Sequence, residues 1–310
     1  MLNLTEEQIA VRDTFARFTD AEIIPAAEAI DEAHEYPKAM VKRLADLGFV
    51  GMRYPEEAGG SGVDLVTCCL ALEEVARGSM SVAACVTMQA LMGTKFLEML
   101  GNDDIRERLF KPALALDKIG AICMTEPDAG SDLASISTRA VETDGGYILN
   151  GAKTWVTSAP VADFFTVFAR AGDEDKLTIF LVEKDFGGLV IGRPIEKMGV
   201  WALPTSEVAF NDCFVPASHR LSAEIGDGEE HLRKLLSEIR IATAVLGVGI
   251  ARAALDEAVR YAGERKQFGK PINRFQAVQM RLADMATELE AARHISYHAA
   301  QLLDAGAPHR

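Results

Sequence analysis

Residues 123–132 read CMTEPDAGSD, a run rich in hydroxyls and carboxylates with almost nothing to bury. Pro127 pushes Glu126 toward an extended backbone. The small residues that follow let a main chain come close to a ligand, with N–H and hydroxyl donors free. Taken alone, the run also reads as a surface loop of turn formers. Glu126 and Asp132 then serve turn geometry. A second candidate is the pair His294 and His298, four apart and able to share one side of a helix, a spacing that can hold a metal. No HExxH pattern and no nearby third ligand accompany them, so no metal is expected. Five cysteines, Cys68, Cys69, Cys85, Cys123 and Cys213, are odd in number and show no CxxC spacing. They read as small buried hydrophobes rather than as a disulfide framework or zinc site.

The chain that must position these groups has 310 residues, 49% hydrophobic and 25% charged, enough for one large domain or several packed ones. A net charge of −14 would repel a phosphate backbone, which excludes nucleic acid as the expected partner. No apolar run is expected to reach transmembrane length. The start, MLNLTEEQIAVRD, lacks a basic region followed by an apolar one and is too acidic for a transit peptide, so a cytoplasmic setting is expected.

Residues 1–120 read as an N-terminal helical domain. Thr5, Glu6 and Glu7 suit a first helical turn. Ile9, Val11, Phe15 and Phe18 follow at roughly helical spacing. Lys38 to Leu47 lies between Pro37 and Gly48, a start and stop pair. PEEAGGSGVD, residues 55–64, is a loop, and Leu65 to Met99 is apolar on most sides, as in a bundle. Residues 121–226 read as a compact antiparallel β domain, a barrel or sandwich, with turn signals at Asp144-Gly145-Gly146 and Asn150-Gly151. In KLTIFLVEK, Leu177, Ile179 and Leu181 point one way and Thr178, Phe180 and Val182 the other, so both faces are covered. VAFNDCFVP is a further strand. Residues 227–310 return to helix, with one long helix over Glu229–Ala262. Gly247 and Gly249 permit close packing within it, and a second helix runs from about Gln276 to Leu303. The fold class is α+β, a helical bundle, a β domain and an incomplete second bundle.

That order resembles the acyl-CoA dehydrogenase family. Along the whole chain the resemblance is carried by LEEVARG (72–78), GND (101–103), CMTEPDAGSD, LNGAKTWVTSA (149–159), ALDEAVRYAGERKQFGKPI (254–272) and FQAVQMRLADMA (275–286). It implies FAD as cofactor, an acyl-CoA as substrate and an electron-transfer flavoprotein as electron acceptor, in fatty acid or carboxylic acid degradation. By the resemblance, Cys123, Met124 and Thr125 contact the isoalloxazine and ribityl chain, and Ser131 reaches the phosphates or the CoA. Trp155, Val156 and Thr157 form the second flavin contact, with the indole shielding the ring edge and a hydroxyl donor near N5. Arg265, Phe268 and Gln276 reach the diphosphate and adenine of a neighbouring subunit's FAD, a task suited to the planar fork of arginine. A homo-oligomer, dimer or tetramer, is then required. Arg240 and Ser237 match positions near the CoA end of the substrate.

The implied reaction takes a proton from the carbon next to the thioester and moves a hydride from the following carbon to the flavin, giving a trans-2-enoyl-CoA. Its base is a carboxylate in a dry pocket, with hydrogen bonds to the thioester oxygen stabilising the enolate charge. In most members this glutamate comes later than LLDAGAPHR, so the string reads as a fragment of a longer enzyme. Some members place it where this chain has Ile239, which cannot act; Glu238, about 100° around the helix, is the in-chain candidate. A flavin oxidase of the same fold and a catalytically silent flavin- or acyl-CoA-binding subunit of a heteromer are the competing readings. Acyl selectivity is expected around Val86 to Gly93, through Met88, Gln89, Leu91 and Met92.

Overall fold

The structure, a computed structural model, describes residues 4–307. Its helices are α1 (Glu6–Phe18), α2 (Ile24–Ala33), α3 (Lys38–Asp46), α4 (Leu65–Gly78), α5 (Met80–Thr87), α6 (Lys95–Leu100), α7 (Asp103–Ile105), α8 (Lys111–Leu114), α9 (Gly228–Glu264) and α10 (Gln276–Asp304). The strands are β1 (Gly120–Cys123), β2 (Arg139–Thr143), β3 (Gly146–Thr157), β4 (Phe164–Ala171), β5 (Lys176–Glu183), β6 (Leu189–Pro194) and β7 (Thr205–Pro216), then the short β8 (Lys266–Gln267) and β9 (Lys270–Pro271). Two compact units result, one from residues up to 28, 63–83 and from 238 on, the other from 29–62 and 84–237.

In the first unit, α1 starts at a capping box. Thr5 accepts from the Gln8 N–H while the Gln8 side chain accepts from the Thr5 N–H, both at 3.1 Å. Phe15 is buried but Ile9 is exposed, so only part of the expected stripe is covered. Asp64 caps α4, and at the far end of the chain the Asp304 carboxylate accepts from the Leu65 N–H at 2.8 Å and the Val66 N–H at 3.2 Å. A negative charge there also complements the helix dipole. The helix α9 crosses α4 at Gly249, where a Cβ would lie 2.6 Å from the Ala76 Cβ and 2.8 Å from the Glu73 carbonyl oxygen. Gly247 has open space around it, so only one of the two expected glycines makes the close contact. On α10, Ile295 and Leu302 are exposed and Leu303 is half-buried.

The second unit is built on a curled sheet in the order β1-β4-β2-β3-β7-β6, with β5 pairing β4. Most pairings are antiparallel, as expected, but β1–β4 and β2–β4 are parallel. The parallel pairs arise because β5 fills one edge of β4, and β1 and β2 lie one after the other along the opposite edge, at 164–167 and 170–171, joined by the 124–138 loop. Asp144 and Gly145 close the predicted hairpin between β2 and β3, with Gly145 at φ 77°. Asn150-Gly151 is no turn. It lies inside β3 as a bulge, where Gly151 takes φ 149° and a Cβ would sit 2.5 Å from Thr138 Oγ1. Asn150 bonds instead to Asp212 on β7, its Nδ2 donating at 2.9 Å. β5 is covered on both faces, as expected. Phe165, Phe180, Tyr147 and Phe210 fill the interior, each contributing about 1.5–3 kcal/mol by burial.

The helix α3 follows Pro37 and stops before Gly48 at φ 87°. Residues Met80–Leu100, α5, a π-helical turn and α6, form a 21-residue helical run long and apolar enough to cross a membrane, contrary to expectation. It is 72% buried inside the protein, as a core helix is. Its π-helical turn, Met88–Gly93, coincides with the stretch expected to read the acyl group. Gln89 there is committed to structure: its amide donates to the carbonyls of Ala113 and Lys118 and accepts from the Gly120 N–H. No disulfide joins the cysteines among the described residues.

Candidate active site

The two segments predicted to contact a flavin meet in the second unit. β1 is buried along its length. Beyond it Met124 and Thr125 are half-buried, and the Thr125 carbonyl accepts from the Thr154 N–H at 2.9 Å. On β3 the odd-numbered residues face inward as far as Lys153. The register against β7 then slips between Lys153 and Val156, so Thr154 and Trp155 fall outside that ladder. Trp155 takes φ 56° and is 56% exposed. A left-handed backbone at a bulky aromatic is strained. Val156 turns into the core, Thr157 is half-buried and pairs with Thr205, and the Ser158 N–H donates to the Pro204 carbonyl at 2.8 Å.

The structure therefore brings Met124, Thr125, Trp155 and Thr157 to one rim. Cys123 and Val156 sit beneath it with their side chains in the core. Burial pushes the Cys123 thiol up to about 12, so it stays neutral and offers a ligand only its main chain. Ser131 lies on the exposed outer arm of the loop, past the Glu126–Ala129 turn.

Lys153 is what sequence reasoning missed. Its ammonium is wholly buried and donates to Glu126 Oε1 at 2.8 Å and to the Met124 carbonyl at 3.1 Å. The Glu126 carboxylate also accepts from the Ser137 N–H at 2.6 Å, the Ser137 hydroxyl at 2.8 Å and the Thr138 N–H at 3.0 Å. Burial raises the Glu126 pKa, but these donors outweigh it and hold the group at about 2. Burial pulls Lys153 below the usual lysine value, and the facing carboxylate opposes that. A usable signal existed: Lys153 is a charge at an inward position of an alternating strand.

In the first unit, α9 ends at Glu264, and a tight β8–β9 hairpin turns at Phe268 and Gly269, φ 50° and 78°. Phe268 is 92% exposed. Glu264 pairs with Arg260 rather than with Arg265, which leaves the Arg265 guanidinium exposed and without a carboxylate partner among the described residues. Gln276 opens α10 and is exposed. Arg240 is exposed on α9 and Glu238 is half-buried. Ser237 donates its hydroxyl to the Arg233 carbonyl at 3.2 Å.

The residues present fit a flavin. A ring needs an apolar shield, main-chain groups at its edge and a hydroxyl, and the rim offers Trp155, the 124–125 backbone and Thr157. Models of the acyl-CoA dehydrogenase N-terminal, middle and C-terminal domains match residues 5–117, 121–213 and 226–310. Benzylmalonyl-CoA dehydrogenase of Aromatoleum aromaticum is 69% identical over 307 residues, covering 99% of this chain and 81% of that protein. The solved structure of butyryl-CoA dehydrogenase from Megasphaera elsdenii superposes with a TM-score of 0.93 at 33% identity, over 99% of this chain and 82% of that one. A solved FAD complex of PigA gives 0.94 at 29% identity with the same coverage. With all three domain models matched in order on this fold, the chain belongs to the acyl-CoA dehydrogenase family.

Proposed function

We propose that the chain carries out FAD-dependent α,β-dehydrogenation of a benzyl-type (arylmethyl-substituted) malonyl-CoA to its 2-enoyl-CoA, the hydride leaving the benzylic carbon. In this reading it works in the cytoplasm as a homo-oligomer and passes electrons to an electron-transfer flavoprotein. The benzylmalonyl-type substrate class rests on the 69% identity to benzylmalonyl-CoA dehydrogenase. The observation that carries the flavin site is the rim formed where Thr154 is bonded to Thr125 and Trp155 is held outward at φ 56°.

Bound FAD supplies the hydride acceptor for the substrate's β-carbon. Trp155 would cover the ring edge and exclude water, and Thr157 would offer its hydroxyl. Main-chain groups of Cys123, Met124 and Thr125 would line the other side, with Val156 packing beneath and Ser131 at the phosphates or the CoA. Arg265, Phe268 and Gln276 of a second copy would hold the diphosphate and adenine; the unpartnered guanidinium supports that role. Arg240 would meet the CoA end. Ser237 would have to exchange its bond to Arg233 to reach substrate. The α-proton goes to the glutamate that the resemblance puts beyond Arg310, with Glu238 as the in-chain alternative.

Anaerobic titration of the purified flavoprotein tests the reading. Benzylmalonyl-CoA should bleach the flavin's visible band, and butyryl-CoA should do so far less. Recolouring in air with release of peroxide would indicate an oxidase instead. Bound flavin that no acyl-CoA bleaches would indicate a silent subunit.

Trp155→Gly separates function from strain. Glycine adopts φ 56° freely, and the lost side chain is mostly exposed. The apo protein should therefore keep its denaturation midpoint to within about 1 kcal/mol, while FAD binds at least about tenfold more weakly. A large loss of apo stability would show that Trp155 is a packing residue.

A further inference from the structure

The rim rests on a charged pair that apolar side chains could replace in a purely structural role. Lys153 and Glu126 have side chains 0% and 4% exposed. Burying two charges costs desolvation that their attraction offsets only with good geometry, and apolar residues of similar volume often stabilise as well or better. The geometry points to a different task. Three consecutive residues, 124 to 126, are tied to two consecutive residues of β3. The Met124 carbonyl accepts from Lys153 Nζ, the Thr125 carbonyl from the Thr154 N–H, and the Glu126 carboxylate from Lys153 Nζ again. This is the stretch where β3 leaves the β7 ladder. A lone Thr154–Thr125 bond would let the two segments pivot about it; the lysine adds a tie on each side. The same carboxylate grips Ser137 and Thr138, which closes the arm that carries Ser131.

We propose that Lys153 and Glu126 are positioning residues for the flavin: the buried pair sets the spacing between the Met124–Thr125 and Trp155–Thr157 segments and fixes the base of the Ser131 arm. The proposal rests on the flavin reading above. Neither residue needs to touch the cofactor; both act through the main chain they hold.

Three variants test it: Lys153→Met, Glu126→Gln and the double variant K153M/E126Q. FAD affinity is read by quenching of flavin fluorescence, fold stability by urea midpoint, and local order by hydrogen exchange of amides 154–158 in the apo protein. Lys153→Met leaves a buried carboxylate without its cation and should lower both midpoint and affinity. The double variant removes both charges in near-isosteric form. Its midpoint should recover most of the way, while FAD binding stays at least about tenfold weaker than in the parent and exchange at 154–158 at least about tenfold faster. Affinity and exchange that recover together with the midpoint would mean that the pair only stabilises the fold, and would overturn the proposal. So would single variants with unchanged affinity. A parent protein that takes up no FAD would overturn the flavin reading itself, before any variant is compared.

Discussion

Glu73→Ala should destabilise the helical unit by about 3–5 kcal/mol, measured as a shift of the urea midpoint at constant slope. Glu73 lies on α4, 5% exposed, at the point where Gly249 of α9 packs against its carbonyl. Its carboxylate accepts from Arg293 Nη2 at 2.8 Å and from the Tyr297 hydroxyl at 3.0 Å, with Arg252 Nη1 at 3.4 Å. Glu74 beside it takes Arg252 Nη1 at 2.6 Å and Arg77 Nε at 3.0 Å. Three helices are thus joined through two adjacent carboxylates. Alanine at 73 leaves the fully buried Tyr297 hydroxyl without its acceptor and strips Arg293 of its buried partner. Burial and the Glu73 charge both hold the Tyr297 phenol in its protonated, donating form, well above the usual tyrosine value. Tyr297→Phe removes one bond to a charged group and should cost about 1.5–3 kcal/mol. The two changes share a partner, so the double variant should cost less than the sum of the singles. A Glu73→Ala loss below about 1 kcal/mol would mean that Arg293 and Tyr297 find water or other acceptors and that the network is surface-like.

How much of this was legible follows the range of each interaction. Local signals held. The helix start at Thr5, Glu6 and Glu7, Pro37 with Gly48, and the two-sided apolar run of β5 are decided within a few residues, and each stands close to where the sequence puts it. The motif segments 124–126 and 153–154 are also hydrogen-bonded to each other. Long-range choices were not legible. Asn150-Gly151 carries the same local signal as a hairpin turn. Only Thr138 opposite Gly151 and Asp212 opposite Asn150 make it a bulge. The parallel partners of β4 depend on where a loop of more than a dozen residues returns, which no period reveals. Lys153 was hidden because a lysine in a strand is read as solvated, and its counterion lies 27 positions away in a loop. Helical periodicity likewise marks α4 as buried without showing that Glu73 and Glu74 are buried with it.

Gly120→Val should be as damaging to the β unit as the loss of Glu73 is to the helical one, at about 3–5 kcal/mol, and it should abolish FAD uptake as well. A Cβ on Gly120 would lie 2.3 Å from the Gly93 carbonyl oxygen and 2.6 Å from Phe164 Cε2, and a Cβ on Gly93 would lie 2.8 Å from the Gly120 carbonyl oxygen. The π-helical turn that ends at Gly93 and the strand that starts at Gly120 therefore touch backbone to backbone, and Gln89 bonds across the same contact. Main chain cannot rotate away as a side chain can, so the strand itself must move. That strand runs straight into Cys123, Met124 and Thr125, so its displacement reaches the rim within four residues. Two further variants identify the cause. Gly120→Ala should already cost a large part of the loss, since the first added carbon makes the clash. Adding Phe164→Leu to Gly120→Ala should restore little, because the ring is the second obstacle and the Gly93 carbonyl the first. Restoration to near the parent midpoint by Phe164→Leu would show that the ring alone crowds Gly120, and that β1 and the π-helical turn are not in backbone contact.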